Sequence, residues 1–392
     1  SITVKNPSTA NGFPLTSNPF EKIVETGLAA AGGTATINTI SKKFKYPQVF
    51  RVNLGVDHEF DNGLKLTFDA LYSKGINNVY FKNLAIESNS KVYAVNSAVA
   101  ASNPNAETKY YSVDRQYYAI VDLANTNKGY SYSLSLMAQK SFAFGLDVMA
   151  SYTYGHSYSV NDGTSSVAYS NWKYNYGVDT NEPELSYALF DIPHQFMAMI
   201  SYKTPMYLGG LQTAFTLTYT GQSGQRYSYT MNESVDFNGD GQKGNSLLYI
   251  PTADELQQMQ FADPADRSKF ESFIQDDSYL SRNRGNWAPR YGGKAPFEHH
   301  FDLHIAQDFF YDKKSGRKLQ FIVDLINFGN MINRNWGIYN SSTYNLQILQ
   351  VTKLTKGADG NMTPTYKFNP QEISMNDFNS RWRCQLGFRL VF

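Results

Sequence analysis

The sequence predicts an all-β protein: a transmembrane antiparallel β-barrel wall, an arc of about nine strands with long loops at one end. Three observations predict it. Aromatic residues make up 15% of the 392 residues and charged residues only 18%, against roughly 25% charged in an ordinary soluble domain. No stretch approaches the ~20 consecutive apolar residues of a membrane-spanning helix. Apolar and polar residues alternate with period two over one stretch after another, the mark of a strand with one face in an apolar medium.

The first alternating stretch is Val49 to Phe60. Phe50, Val52, Leu54, Val56 and Phe60 fall on one face, and Arg51, Asn53, Asp57 and Glu59 on the other. Asp61-Asn62-Gly63 follows, a tight-turn signal because Asn and Gly tolerate positive φ. Leu64, Leu66, Phe68, Ala70 and Tyr72 then continue the apolar face. The pattern repeats at Tyr130–Ala138 and Leu146–Tyr154, joined by a turn at Phe142–Gly145. It recurs at Phe196–Tyr202 and Leu211–Tyr219 around a turn at Thr204–Gly210. Phe297–Phe309 and Leu319–Leu325 flank Asp312-Lys313-Lys314-Ser315-Gly316. Arg381 to Phe392 closes the series. Trp382, Cys384, Leu386, Phe388, Leu390 and Phe392 lie on one side, and Arg381, Arg383, Gln385 and Arg389 on the other.

These stretches are longer than the ~5–6 residues common in soluble sandwiches and suit the ~9–11 tilted residues of a membrane strand. Aromatics such as Phe60, Tyr72, Phe142, Tyr152, Tyr154, Tyr202, Tyr219 and Phe309 end many of the apolar faces, as interfacial girdles do. Phe60, Phe142 and Phe309 are expected at the periplasmic rim, toward lipid.

Connections at 61–63, 143–145, 204–210 and 311–316 are short, and those at 75–129, 158–193, 223–296 and 329–380 are long. Short turns are periplasmic and long loops extracellular in such barrels. Residues 1–47 therefore read as an extracellular segment, and Phe392 ends at the periplasmic side. A chain that enters outside and ends inside has an odd number of strands, whereas single-chain bacterial barrels have an even number. Residues 48–392 thus read as the C-terminal portion of a larger barrel. Asn78–Ile86 with Gln116–Leu123 form an expected extra hairpin above the membrane. The chain starts Ser-Ile-Thr-Val-Lys, which fits a removed leader or a start within a longer chain.

Charge and cysteine content exclude other classes. Thirty-five basic residues against 34 acidic give a formal +1, so the basic excess of a nucleic-acid binder is missing. Cys384 is the single cysteine and can form neither an intrachain disulfide nor a multi-cysteine metal site.

Several segments carry a family likeness: Tyr46-Pro47-Gln48-Val49-Phe50-Arg51-Val52-Asn53-Leu54-Gly55, Asn125-Thr126-Asn127-Lys128-Gly129-Tyr130-Ser131, Ala150-Ser151-Tyr152-Thr153-Tyr154-Gly155, His194-Gln195-Phe196, and the last strand with its terminal Phe. Their order and spacing resemble the C-terminal half of TonB-dependent outer-membrane transporters, most of all the Oar-like branch. The resemblance implies a 22-stranded barrel around an N-terminal plug that is absent from this chain. It implies active uptake of a nutrient (oligosaccharide, peptide or metal chelate) across the cell outer membrane of a Gram-negative bacterium. TonB would pull on the plug, and a surface lipoprotein could sit over the loops. The expected partners are outer-membrane lipid and the missing N-terminal barrel and plug segment, with no nucleic acid. No catalytic role is expected. The rival functions are a passive porin or adhesin-like barrel and, further off, a barrel-embedded hydrolase.

Within the longest loop, Asp236, Asn238 and Asp240, followed by Gly241 and Gln242, match the first half of an EF-hand loop, with oxygen ligands at positions 1, 3 and 5 and Gly at 6. Calcium in the 223–296 loop is one reading and an ordinary Asn/Asp/Gly turn the other. Leu247 stands where a bidentate Glu belongs, so Asp254 or Glu255 would have to complete the shell. Glu298, His300, Asp302 and His304 alternate on one strand face. They read as polar lumen positions or as a metal or catalytic cluster. The loops are rich in aromatics: Tyr110, Tyr111, Tyr117, Tyr118, Tyr169, Trp172, Tyr174, Tyr176, Tyr227, Tyr229, Trp336 and Tyr339. These serve either substrate contact or loop packing. Thr252-Ala-Asp-Glu255 reads as a capping box, and Asp263-Pro264 opens a second helix with Phe270, Phe273 and Ile274 on one face. Arg381, Arg383 and Arg389 form a basic stripe whose partners are expected in Asp57, Glu59 or neighbouring strands.

Overall fold

The computed structural model describes residues 36–392 apart from 114–116, 118, 209, 312–316 and 342–343. The expected turn at Asp312–Gly316, Tyr118 and most of segment 1–47 lie outside the described residues. Among those described, no helix is long and apolar enough to cross a membrane.

Nine strands form one unbroken antiparallel sheet in chain order: β1 Val49–Glu59, β2 Leu64–Gly75, β3 Tyr130–Phe142, β4 Leu146–Ser159, β5 His194–Lys203, β6 Gln212–Gln222, β7 Glu298–Tyr311, β8 Lys318–Ile326 and β9 Arg383–Val391. A two-residue strand, Ser186–Tyr187, adds to the upper end of β4. The strands run from 9 to 14 residues, long enough to span a bilayer with tilt. Each neighbour is the next strand, joined alternately by a short turn, which can link only antiparallel strands, and by a long loop. Gly63 turns the first hairpin at φ +78°, a conformation a Cβ would disfavour.

The register keeps the two faces continuous around the arc. Leu54 faces Ala70, Ala70 faces Leu134 and Leu134 faces Tyr154. Ile200 faces Leu217, and Leu217 faces Leu303. The other face carries Asn53, Ser135, Thr153, Thr218, Asp302 and Asp324. Towards the long-loop end, the apolar face closes into a run of touching rings. Tyr130 stacks on Tyr158 with centroids 4.8 Å apart, Tyr152 lies 4.4 Å from Phe196, and Tyr219 lies 4.9 Å from Phe301. At the short-turn end Phe60 and Phe309 lie exposed beside their turns, and Phe142 touches Phe144.

β1 and β9 lie at opposite ends of the sheet and do not pair among the described residues. That separates the expected ion pairs of the last strand. Arg381 pairs with Asp377 instead, and Arg383 sits 5.0 Å over the ring of Phe378. Glu59 pairs with Lys65, and Asp57 accepts from Thr67 Oγ1 at 2.5 Å. The strand carrying Asp57 and Glu59, β1, is eight positions away from β9 in the sheet order, so only local partners are within reach.

Candidate functional site at the long-loop end

The core of the molecule is in the loops. Among the described residues Ala306 is the only buried apolar side chain of the wall strands, whereas Tyr229, Tyr249, Phe270, Met231, Leu248, Ile348 and Tyr366 are almost wholly buried above them. Three loops supply this core. Residues 86–93 and 107–113 from the first pair with each other, and 345–356 with 362–368 from the last. Arg226–Glu233 from the third lies parallel to Asn345–Lys356. The result is a shared sheet over which α1 (Ala253–Gln258) and α2 (Ala265–Asp276) pack.

The capping box holds as expected. Glu255 N donates to Thr252 Oγ1, and Thr252 N donates to Glu255 Oε2 at 2.8 Å. Phe270 and Ile274 turn inward from α2. The expected hairpin near 78–123 forms as Asn78–Asn83 against Ala119–Thr126, with Thr36–Ile40 added in parallel. This cap takes four of the loop aromatics into its interior. Tyr111, Trp172, Tyr227 and Tyr229 are buried, while Tyr174 and Trp336 stay exposed.

The Asp236–Gln242 loop sits where three long loops meet. Asp236 Oδ1 accepts from Gly239 N at 2.8 Å and its Oδ2 from Gly241 N at 2.7 Å. Asp240 Oδ1 accepts from Gln242 N at 2.7 Å. Its Oδ2 accepts from Thr180 Oγ1 at 2.9 Å, Asn245 Nδ2 at 2.9 Å and Asn238 Nδ2 at 3.3 Å. Asn238 O accepts from Tyr111 N, which ties the first loop to the third. Gly241 lies at φ +88°, the sharp turn that position needs.

The loop holds one buried carboxylate, Asp240, and one half-buried, Asp236, with no cation at ion-pair distance among the described residues. Burial, reinforced by the charge of Asp240, lifts the Asp236 carboxyl to about 7, and burial also raises Asp240. The expected closing acids are elsewhere. Glu255 is held by its capping box and by Tyr249 Oη at 3.0 Å, and Asp254 is exposed on α1. Leu247 is buried in the core. A spare oxygen is at hand in Asn245 Oδ1, buried and without a hydrogen-bond partner among the described residues, on the amide that already touches Asp240. No spacing rule points to Asn245, because its place is set by the fold of the whole loop.

Glu298, His300, Asp302 and His304 share the polar face but do not converge on one point. His304 Nδ1 meets Asp324 Oδ1, directly opposite on β8, at 2.6 Å. Asp302 Oδ1 accepts from Asn327 N at 2.7 Å, which anchors the end of β8. His300 Nε2 lies 3.9 Å from Glu298 Oε2. Among the described residues no three His, Cys, Asp or Glu side chains gather as a metal site.

Sequence reasoning missed the buried arginines that lock the loops together. Arg226 Nε donates to Asp191 Oδ2 at 2.6 Å, and its guanidinium stacks 3.7 Å from the Tyr187 ring centroid. His156 Nδ1 shares the same Asp191 oxygen at 3.1 Å. Arg290 donates to Ser159 O at 2.6 Å and also to Val160 O and Asn175 Oδ1. An isolated Arg in a long loop carries no period by which it could be found. Two cavities open beside Arg226. One of about 620 Å³ is lined by Tyr154, His194, Arg282 and Lys294, and one of about 360 Å³ reaches the polar face at Glu298.

A wall of alternating strands with an apolar, ring-fringed face fits one kind of protein, and a family model for an outer membrane beta barrel domain matches residues 1–356. The chain belongs to that family. No curated protein matches the chain. The apolar face of this outer-membrane barrel is therefore the lipid face, and the polar face with Glu298 to His304 lines the lumen. The ring belt lies at the extracellular interface, and the packed loops form an extracellular cap.

Proposed function

We propose that the chain forms the C-terminal wall and extracellular cap of a TonB-dependent transporter that imports a nutrient across the outer membrane of a Gram-negative bacterium. The observation that carries this reading is the open nine-strand arc. Backbone groups left unpaired at lipid depth cost several kcal/mol each, so further strands must complete the wall, and the finished barrel is large. The likeness to TonB-dependent transporters supplies the plug, and TonB acting through it, as partners. A surface lipoprotein over the cap is a further proposed partner. No catalytic role is assigned, since His304 and Asp302 are each tied to a structural partner on β8 or at its end. The test is uptake of labelled oligosaccharides, peptides and metal chelates by cells making the complete gene product. Uptake of one class should vanish on TonB depletion or on collapse of the proton gradient. Uptake indifferent to both would favour a passive porin.

Within this reading, a calcium ion held by Asp236, Asn238, Asp240 and the Gln242 carbonyl would rigidify the cap. The uncompensated carboxylates and the spare Asn245 oxygen support it. The pH response carries the sign. Asp236 titrates higher in the folded chain than the usual 3.8, so without calcium its share of stability is full below about pH 4 and is lost as pH rises through about 7. Roughly 1.4 kcal/mol rides on each pKa unit. Differential scanning calorimetry in EGTA should show the cap losing stability as pH rises from about 4 to about 7. Calcium should remove that loss, and Asp236→Asn should shrink the pH response, leaving the share of Asp240, and abolish the calcium response. A melting temperature indifferent to calcium at pH 8 would leave the loop an ordinary turn.

A further inference from the structure

The lumen face ends, at the top of β6 and β7, in the cavity of about 360 Å³. Gln222 and Glu298 stand opposite each other there, and Tyr339 and Tyr344 from the last loop line its side. Glu298 is 2% exposed. Its Oε2 accepts from Gln222 Nε2 at 3.3 Å, and its Oε1 has no partner among the described residues. Ser223, also 2% exposed, lines the same cavity, and its hydroxyl is likewise unpartnered. A buried carboxylate oxygen and hydroxyl left unmatched carry their full desolvation cost. Two residues with such atoms in the lining of one cavity mark a place for a hydrogen-bond donor.

The charge of that donor follows from the lining. Asp191 and Arg226 neutralise each other at 2.6 Å. Among the described residues Glu298 has only His300 as a cationic neighbour, at 3.9 Å. Anions are therefore disfavoured. A guanidinium binds best to both oxygens of a carboxylate, but Gln222 already occupies one. A compact ammonium needs one carboxylate oxygen and further acceptors, and Tyr faces also attract such a cation.

We propose that this cavity binds the primary ammonium group of the transported substrate, such as a peptide amino terminus, with Glu298 Oε1 and Ser223 Oγ as its acceptors. This rests on the import reading and names a substrate class for it. Binding needs no energy source, so the two fail separately. The test is calorimetric titration of the complete gene product, purified from the outer membrane in detergent, with trialanine and with N-acetyl-trialanine. Trialanine should bind, and acetylation should weaken it by about tenfold or more. Glu298→Gln, which keeps the shape and removes the charge, should cause a similar loss, while n-butylammonium should compete with trialanine on the wild-type protein. The competition arm does not depend on the variant folding. Equal binding of the acetylated peptide, no binding of trialanine at millimolar concentration, no competition by n-butylammonium, or an unaffected and folded Glu298→Gln protein would each overturn the proposal.

Discussion

Replacing Phe270 by Ala is expected to destabilise the extracellular cap by about 3–5 kcal/mol, the range for emptying a fully buried aromatic site. Phe270 is fully buried and touches Phe261 and Phe368, with centroids 6.4 and 5.8 Å away. These partners come from a short strand in its own loop and from the last loop, so the cavity would open at the junction between loops. Collapse there is resisted from both sides, which places the cost toward the upper end. Denaturant unfolding followed by tryptophan fluorescence of the cap gives the value. A loss below about 1 kcal/mol would mean that the three loops do not share one core.

The second large effect concerns the wall. Leu217→Arg should destabilise the barrel by about 2–4 kcal/mol, the cost of a cation on the lipid face near the bilayer midplane. Leu217 sits mid-strand on β6 between Ile200 and Leu303. Thr218→Arg, one residue on, points into the lumen between Met199 and Asp302 and should change stability little. The contrast is the point, because a one-residue slip in register would reverse the two results. Urea titration of refolding into lipid vesicles reads both variants on one scale.

The wall was legible in the sequence because lipid and lumen impose opposite preferences on neighbouring residues. Phe50 to Phe60 and Trp382 to Phe392 announce their strands without any long-range information. The capping box at Thr252 was legible for a similar reason, since its partners are three residues apart. The cap was not. Ser228 pairs with Asn345 in parallel, and nothing local to either segment marks the other. The cluster of Asp191, His156 and Arg226 joins the second and third loops by the same kind of distant meeting. The calcium-type motif was legible in its first half, where spacing is local, and not at Asn245, whose placement depends on the fold of the cap. The alternating carboxylates and imidazoles of β7 were legible as one face, but spacing alone could not show that His304 and Asp302 are each tied to β8 or its end.

The central claim is that this arc is part of a larger wall, and disulfide trapping in the outer membrane tests it most directly. With Cys384 changed to Ser, one cysteine replaces Asn53 on β1 and a second is moved along the lumen-facing positions of β9. A disulfide needs Cα atoms about 4.4–6.8 Å apart, so only adjacent strands link. Asn53 paired with Leu71, its direct neighbour on β2, is the positive control. The control pair should link on oxidation, and no β1–β9 pair should. Efficient linkage of residue 53 to any β9 position within one chain would show a barrel closed by these nine strands alone and would contradict the account.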